Sequence, residues 1–220
     1  MKKILFLALL YAGFLSTGLA QTAPPFWNDI VAFKKLDSVH PAPAHPVLFI
    51  GSSSFTKWKD VNEYFPGYPI VNRAFGASTL LDLIRYSYDI IIPYQPKQIL
   101  IYCGENDLAY SDTVTVNEVV KRFKTLYGII RLNLPNTIID YVSIKASPKR
   151  LNIKDKVIET NKEIAKFLKK EKKAGFIDVY YPMVDTSGNY RDELFVEDHL
   201  HMNAKGYAIW KTIIQPYLVK

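Results

Sequence analysis

Four short groups of residues carry the side chains that nucleophilic catalysis needs. Gly51-Ser52-Ser53-Ser54 places hydroxyls directly after the apolar run Val47-Leu48-Phe49-Ile50, and Ser53 is the candidate nucleophile. A serine hydroxyl attacks only when a base takes its proton and donors stabilise the oxyanion that forms. His201 is the candidate base. Asp198, three residues earlier, can reach the imidazole from a tight loop or a first helical turn, where a carboxylate fixes the tautomer and steadies the imidazolium. Candidate oxyanion donors are the backbone N–H of Ser53, the N–H of Gly76 or Ala77 in a small-residue turn, and the side-chain amide of Asn106. Asp107 reads as a brace that accepts hydrogen bonds from nearby backbone.

Each group also has a plainer reading. Asp198 alone would cap a helix well. Gly104-Glu105-Asn106-Asp107 is equally a turn sequence. His199 and His201 alternate as a metal pair could, but two histidines in a loop are weak evidence, and neither metal nor cofactor is expected. Placement is what selects the catalytic reading.

The run 47–50 has no polar alternation, the mark of a strand buried on both faces of a parallel sheet. Further strands are expected at 69–72, 98–103, 137–144 and 176–179. Helical spacing is expected in a short amphipathic lead-in at 26–33, from a cap at Ser78 or Thr79 to about 88, at 114–133, at 154–170, and from about Ala204 onward. Pro41, Pro43 and Pro46 force an extended connection before the first strand. Strands alternating with helices about five times predict an α/β fold, a flavodoxin-like three-layer α/β/α sandwich with a five-stranded parallel sheet in the order 2-1-3-4-5. Open sheets of this kind carry their chemistry at the carboxyl ends of the strands. All four groups fall at such ends or in the final loop.

These groups resemble the sequence blocks of the SGNH hydrolases, the GDSL-like esterase/lipase family. Gly51-Ser52-Ser53 is similar to the first block, residues 72–79 to the second, Gly104-Glu105-Asn106-Asp107 to the third, and Asp198-His199-Leu200-His201 to the last. The likeness extends to Ser143-Ile144-Lys145-Ala146-Ser147-Pro148 and Asn203-Ala204-Lys205-Gly206-Tyr207, and so spans the chain from about Trp27. The resemblance implies the SGNH hydrolase fold, no metal, and ester hydrolysis through an acyl-serine, with Ser53 as nucleophile, His201 as base and Asp198 as its orienting acid. Two departures stand out. Ser52 occupies the place of the usual aspartate before the nucleophile, and the family's donor glycine matches Ala77 or, with the turn shifted by one, Gly76. An α/β-hydrolase elbow is excluded, because Phe55 stands where that fold needs glycine. The expected substrate is a short acyl ester, such as acetyl, on a carbohydrate or small molecule. The alternatives are a lysophospholipase or thioesterase taking longer chains, and a non-catalytic envelope protein that binds a glycan in the same cleft.

Composition sets the remaining bounds. The 220 residues are 49% hydrophobic and 22% charged, enough for one domain with a full core. Lys2 and Lys3, an apolar run at 4–15 and the small-residue exit Ser16-Thr17-Gly18-Leu19-Ala20 describe a signal peptide over 1–20. The apolar run is shorter than the roughly 20 residues a spanning helix needs. The chain is then expected to be periplasmic or extracellular, with a lead-in at 21–46 and the hydrolase domain at 47–220. Loss of the two lysines lowers the formal net charge from +7 to +5. Lysines at 166–173 interleave with glutamate as a solvated helix face does, so a nucleic-acid partner is not supported. Cys103 is the lone cysteine, which excludes an intrachain disulfide, and it reads as a small buried hydrophobe.

Overall fold

The computed structural model describes residues 23–220, so the expected signal peptide lies outside the described residues. Five strands form one sheet: β1 (Val47–Gly51), β2 (Ile70–Asn72), β3 (Gln98–Tyr102), β4 (Ile138–Val142) and β5 (Ala174–Ile177). All pairings are parallel and the order is β2-β1-β3-β4-β5, as the alternation of elements predicts. Every residue of β1 and β3 is buried, which explains the apolar runs Val47–Ile50 and Ile99–Ile101.

β5 starts and ends two residues before the expected 176–179. Its ladder opens at Ala174 and Gly175, beside Ile139 and Asp140. A Cβ at position 175 would lie 2.2 Å from Asp140 Oδ1, so a glycine that looks like a strand breaker is the residue the neighbouring carboxylate requires. Val179 has left the ladder and donates its N–H to Ser143 Oγ (2.9 Å).

The α-helices are α1 (Trp27–Val39), α2 (Ser53–Thr56), α3 (Val61–Tyr64), α4 (Leu80–Arg85), α5 (Ser87–Ile90), α6 (Glu105–Ala109), α7 (Val116–Asn133), α8 (Lys154–Leu168) and α9 (Ala204–Ile214). Two aromatic clusters mark the outer layers. On one face Phe49 and Tyr102 pack with Phe55, Trp58 and Trp210, joining α2 and α9 to the sheet. On the other, Tyr141 packs with Phe123 of α7, which meets Phe167 of α8. Thr115 and Glu118 form the capping box that starts α7. α1 runs longer than the expected 26–33 and is mostly exposed, with only Ile30 buried. Trp27 and Phe33 pack partly against the core, and polar ties add to this: Arg73 bonds both Asp37 and Tyr94, and just before the helix the Pro25 carbonyl accepts from Tyr86 (2.5 Å).

Asp140 is a buried carboxylate in β4, bonded by Gln98 Nε2 at 2.6 Å. Burial pushes its carboxyl up to about 6, opposed by that single donor. A folded value above the unfolded one favours folding fully below about pH 4, and that contribution is lost as the pH rises through about 6. Asp140→Asn should therefore raise stability by about 2 kcal/mol at pH 8 and have little effect at pH 4. Thermal melts at the two pH values check this, and an equal shift at both would contradict it.

Candidate active site

The end of β1 brings the pieces together. Gly51 has φ +138°, and a Cβ there would lie 1.9 Å from the carbonyl oxygen of Tyr102 in β3. The chain then turns into α2, so Ser53 starts a helix at the carboxyl edge of the sheet. Its N–H is the first of that helix and has no acceptor among the described residues. The Gly51 carbonyl accepts from Phe75 N–H (3.0 Å) and Ser78 Oγ (3.1 Å), which draws the turn after β2 against the same point.

That turn holds Gly76 and Ala77. Ala77 has φ +64°, a left-handed conformation that costs a non-glycine residue about 1 kcal/mol. Tyr110 Oη bonds the Ala77 carbonyl at 3.0 Å and helps hold it there. Among the described residues the N–H groups of Gly76 and Ala77 have no acceptor, so both are free to meet a ligand.

Asn106 lies in α6, the short helix after β3, and is 7% exposed. One of its two amide hydrogens goes to the Ser78 carbonyl at 3.0 Å, which ties α6 to the turn after β2 and leaves the second hydrogen available. Asp107 is the brace the sequence suggests, but its partners are distant in the chain. It accepts from Leu80 N–H at the start of α4 (2.9 Å) and from Arg122 of α7 (2.8 Å). Thr79 starts α4 as expected, in a capping box with Asp82, whose carboxylate accepts from the Thr79 N–H (2.9 Å) and hydroxyl (2.6 Å), and Asp107 takes the free donor of Leu80. Burial raises the Asp107 carboxyl despite these donors.

The final loop carries the candidate base, His201. Asp198 Oδ1 accepts from Leu200 N–H (2.9 Å) and His201 N–H (2.8 Å), and Oδ2 meets His201 Nδ1 at 2.5 Å. The opposite ring nitrogen, Nε2, lies 3.0 Å from Ser53 Oγ. Partial burial pushes the Asp198 carboxyl up, but the backbone N–H and ring of His201 outweigh it and hold the group well below the usual carboxylate range. Asp198 does not cap α9. Asn203 does, accepting from Lys205 and Gly206 N–H. His199 faces away from His201 and pairs through Nδ1 with Asp192 (2.5 Å), from a left-handed backbone with φ +55°.

Sequence reasoning missed the buried charges beneath Asn106. Glu105, the residue before it, accepts from Lys145 Nζ (2.6 Å), Tyr102 Oη (2.7 Å) and Ser147 Oγ (3.2 Å). Burial would raise the Glu105 carboxyl, and the Lys145 ammonium beside it prevails and lowers it. An acidic residue between a glycine and an asparagine looks like any turn, and only a lysine in an otherwise apolar stretch at 141–146 hinted at a partner.

A cleft of about 670 Å³ lies elsewhere, at the amino end of the sheet beside His45 and Gln95. The charged groups that line it are already paired, Lys34 with Asp89 across the cleft and Asp37 with Arg73 outside it.

A Ser–His–Asp arrangement on the carboxyl edge of a 2-1-3-4-5 parallel sheet, with small-residue and asparagine donors beside it, defines the SGNH type of serine hydrolase. A family profile confirms the class: the chain matches the GDSL-like lipase/acylhydrolase family over residues 50–209 and belongs to it. Enzymes of that family hydrolyse esters. Solved structures share the fold. A Streptococcus pneumonia protein provisionally named for platelet activating factor is 21% identical, with TM-score 0.76, covering 87% of this chain and 92% of its own. A GDSL-like lipase from Bacteroides thetaiotaomicron is 18% identical, with TM-score 0.73, covering 86% and 96%. A catalytic mutant of an acetylxylan esterase from Geobacillus stearothermophilus is 13% identical, with TM-score 0.62, covering 80% and 95%. No curated protein matches significantly.

The Glu105–Lys145 pair yields a stability test. Both side chains are buried, at 6% and 1% exposure. Lys145→Met strands a buried carboxylate and should cost about 3–5 kcal/mol, whereas adding Glu105→Gln should recover much of it. Denaturant melts of the single and double variants decide. A double variant no better than the single would refute the pairing account.

Proposed function

We propose that the chain is an exported serine esterase that releases short acyl groups, with acetyl on a carbohydrate or small molecule as the favoured substrate. The observation that carries the mechanism is the contact of His201 Nε2 with Ser53 Oγ at 3.0 Å, backed by Asp198 at 2.5 Å from Nδ1. Ser53 Oγ attacks the ester carbonyl as His201 takes its proton. The oxyanion is met by Ser53 N–H, by Gly76 or Ala77 N–H, and by the free amide hydrogen of Asn106. His201 then protonates the leaving alcohol, and water reverses the steps on the acyl-serine. Asp198, held anionic by its donors, keeps Nδ1 protonated and Nε2 open to the serine.

Two features support a small acyl group. Two connections at this edge are short, 73–79 after β2 and 103–104 after β3. An acetylxylan esterase also shares the fold. A second reading, a lysophospholipase or thioesterase, draws on Leu81, Tyr110, Leu151 and Val196, which are exposed near the edge and offer apolar surface to a longer chain. A non-catalytic glycan binder gains nothing from a base aligned on a serine. The expected export rests on residues 1–20, a basic start, an apolar centre and a small-residue exit.

Two measurements test these readings. p-Nitrophenyl acetate should be cleaved in preference to the octanoate. Ser53→Ala should lower kcat by about five orders of magnitude, and Asn106→Ala by about a hundred- to thousandfold. Undiminished turnover in Ser53→Ala would remove it as the nucleophile, and preference for octanoate would favour the lipid reading. Amino-terminal sequencing of the protein from a periplasmic or culture fraction should begin at Gln21. An intact Met1 in the cytoplasmic fraction would refute export.

A further inference from the structure

Among the described residues the Arg150 side chain has no hydrogen-bonded partner, and the contacts of its segment place it beside the proposed catalytic groups. Its Nε lies 3.7 Å from Glu105 Oε1, next to Asn106, too far for a hydrogen bond. The preceding residue, Lys149, donates its N–H to the His199 carbonyl (3.0 Å), within the loop that carries Asp198 and His201. Tyr110, whose hydroxyl bonds the Ala77 carbonyl, closes α6, and α6 packs against the 148–153 segment that carries Arg150. Arg150 thus stands where the loops carrying the oxyanion donors and the base converge.

Its charge is in excess there. Glu105 is already matched by Lys145 at 2.6 Å, so two cations surround one carboxylate. The Arg150 Nε is buried without an acceptor, and its other guanidinium nitrogens donate to no described residue. The side chain is 22% exposed, so those nitrogens can be reached. The backbone also departs from helical geometry at Arg150 (φ −112°, ψ 22°) within the 3-10 segment Pro148–Ile153. A buried donor left unpaired is costly, and a planar fork of donors suits an oxyanion with two acceptor atoms. Tyr110 and Leu151, 58% and 62% exposed, offer apolar surface on either side.

We propose that Arg150 binds an anionic group, a carboxylate or a phosphate, carried by the ester substrate. The proposal rests on the esterase reading and narrows it, from acyl esters in general to esters of acidic molecules such as a uronate-bearing glycan or a phosphorylated alcohol. Arg150 touches the substrate away from the reacting carbonyl and so sets specificity.

Three aryl acetates on one scaffold test it: 4-acetoxybenzamide, 4-acetoxybenzoate and 4-acetoxyphenyl phosphate, each rate taken relative to its spontaneous hydrolysis. At low salt, kcat/KM should favour an anionic ester over the amide by about tenfold, mainly through KM. The preference should fall as sodium chloride is added. It should collapse in Arg150→Gln and survive in part in Arg150→Lys. Whichever anion is favoured assigns the source, carboxylate to an acidic sugar or phosphate to a phosphorylated alcohol. Cleavage of all three without discrimination by the unmodified protein, or an equal loss on all three in Arg150→Gln, would overturn the proposal. Should Arg150→Gln not fold, the salt series on the unmodified protein decides alone. Turnover that persists in Ser53→Ala would instead indict the esterase reading. In that case calorimetric binding of 4-hydroxybenzoate against 4-hydroxybenzamide reads the anion preference without turnover, and equal affinities would overturn it.

Discussion

The site depends on how closely β1 runs against β3 at Gly51. No side chain fits there, because the Tyr102 carbonyl occupies the space a Cβ would need. The same residue accepts Phe75 N–H and Ser78 Oγ, and the next N–H, from Ser52, returns to the Tyr102 carbonyl at 2.9 Å. One backbone position thereby fixes three segments relative to one another: the serine turn, the turn after β2 and the end of β3. A substituent at Gly51 would separate all three, which is why the glycine belongs to the catalytic geometry although it touches no substrate.

Around that point the chain places two carboxylates where water is scarce and gives each its own donors. Asn106 sits between two buried carboxylates that face different parts of the fold. Glu105 reaches Lys145 and Ser147 beyond β4, and Asp107 reaches α4 and α7. Either carboxylate without its partners would be costly, so each anchors its end of α6 firmly. The amide between them is held by the enclosure of its neighbours as much as by its own bond to Ser78. Preorganised donors of this kind are what oxyanion stabilisation requires.

The base is held by a different device. Residues 196–201 form a loop closed by its own polar groups: Val196 N–H to the His201 carbonyl, and Asp198 Oδ1 to two backbone donors. His199 takes the strained φ that lets the loop turn, and its ring is restrained by Asp192. Asn203 then starts α9 while its amide bonds the carbonyls of Glu193 and Phe195, which ties the loop to the preceding chain. The long segment after β5 thus delivers an imidazole to a serine 148 residues away without a strand to carry it.

The sequence by itself determined the architecture and singled out the four side chains, Ser53, Asn106, Asp198 and His201, that the fold gathers at one edge of the sheet. Buried parallel strands have unbroken apolar runs, amphipathic helices repeat every three to four residues, and Asp198 lies close enough to His201 for their contact to be local. Such signals act over a few residues and survive in one dimension. The β5 boundary was harder to read, because its opening Gly175 is explained by Asp140 on another strand. Tertiary structure decided the rest: Glu105 with Lys145 across 40 residues, Asp107 with Leu80 across 27, Gln98 with Asp140 across 42, and the stranded charge of Arg150. These pairings leave no periodicity, because lysine, glutamate and arginine are ordinary surface residues until the fold removes water from them. Burial turns an unremarkable charge into one that must find a partner, and burial at those positions exists only once the strands have assembled.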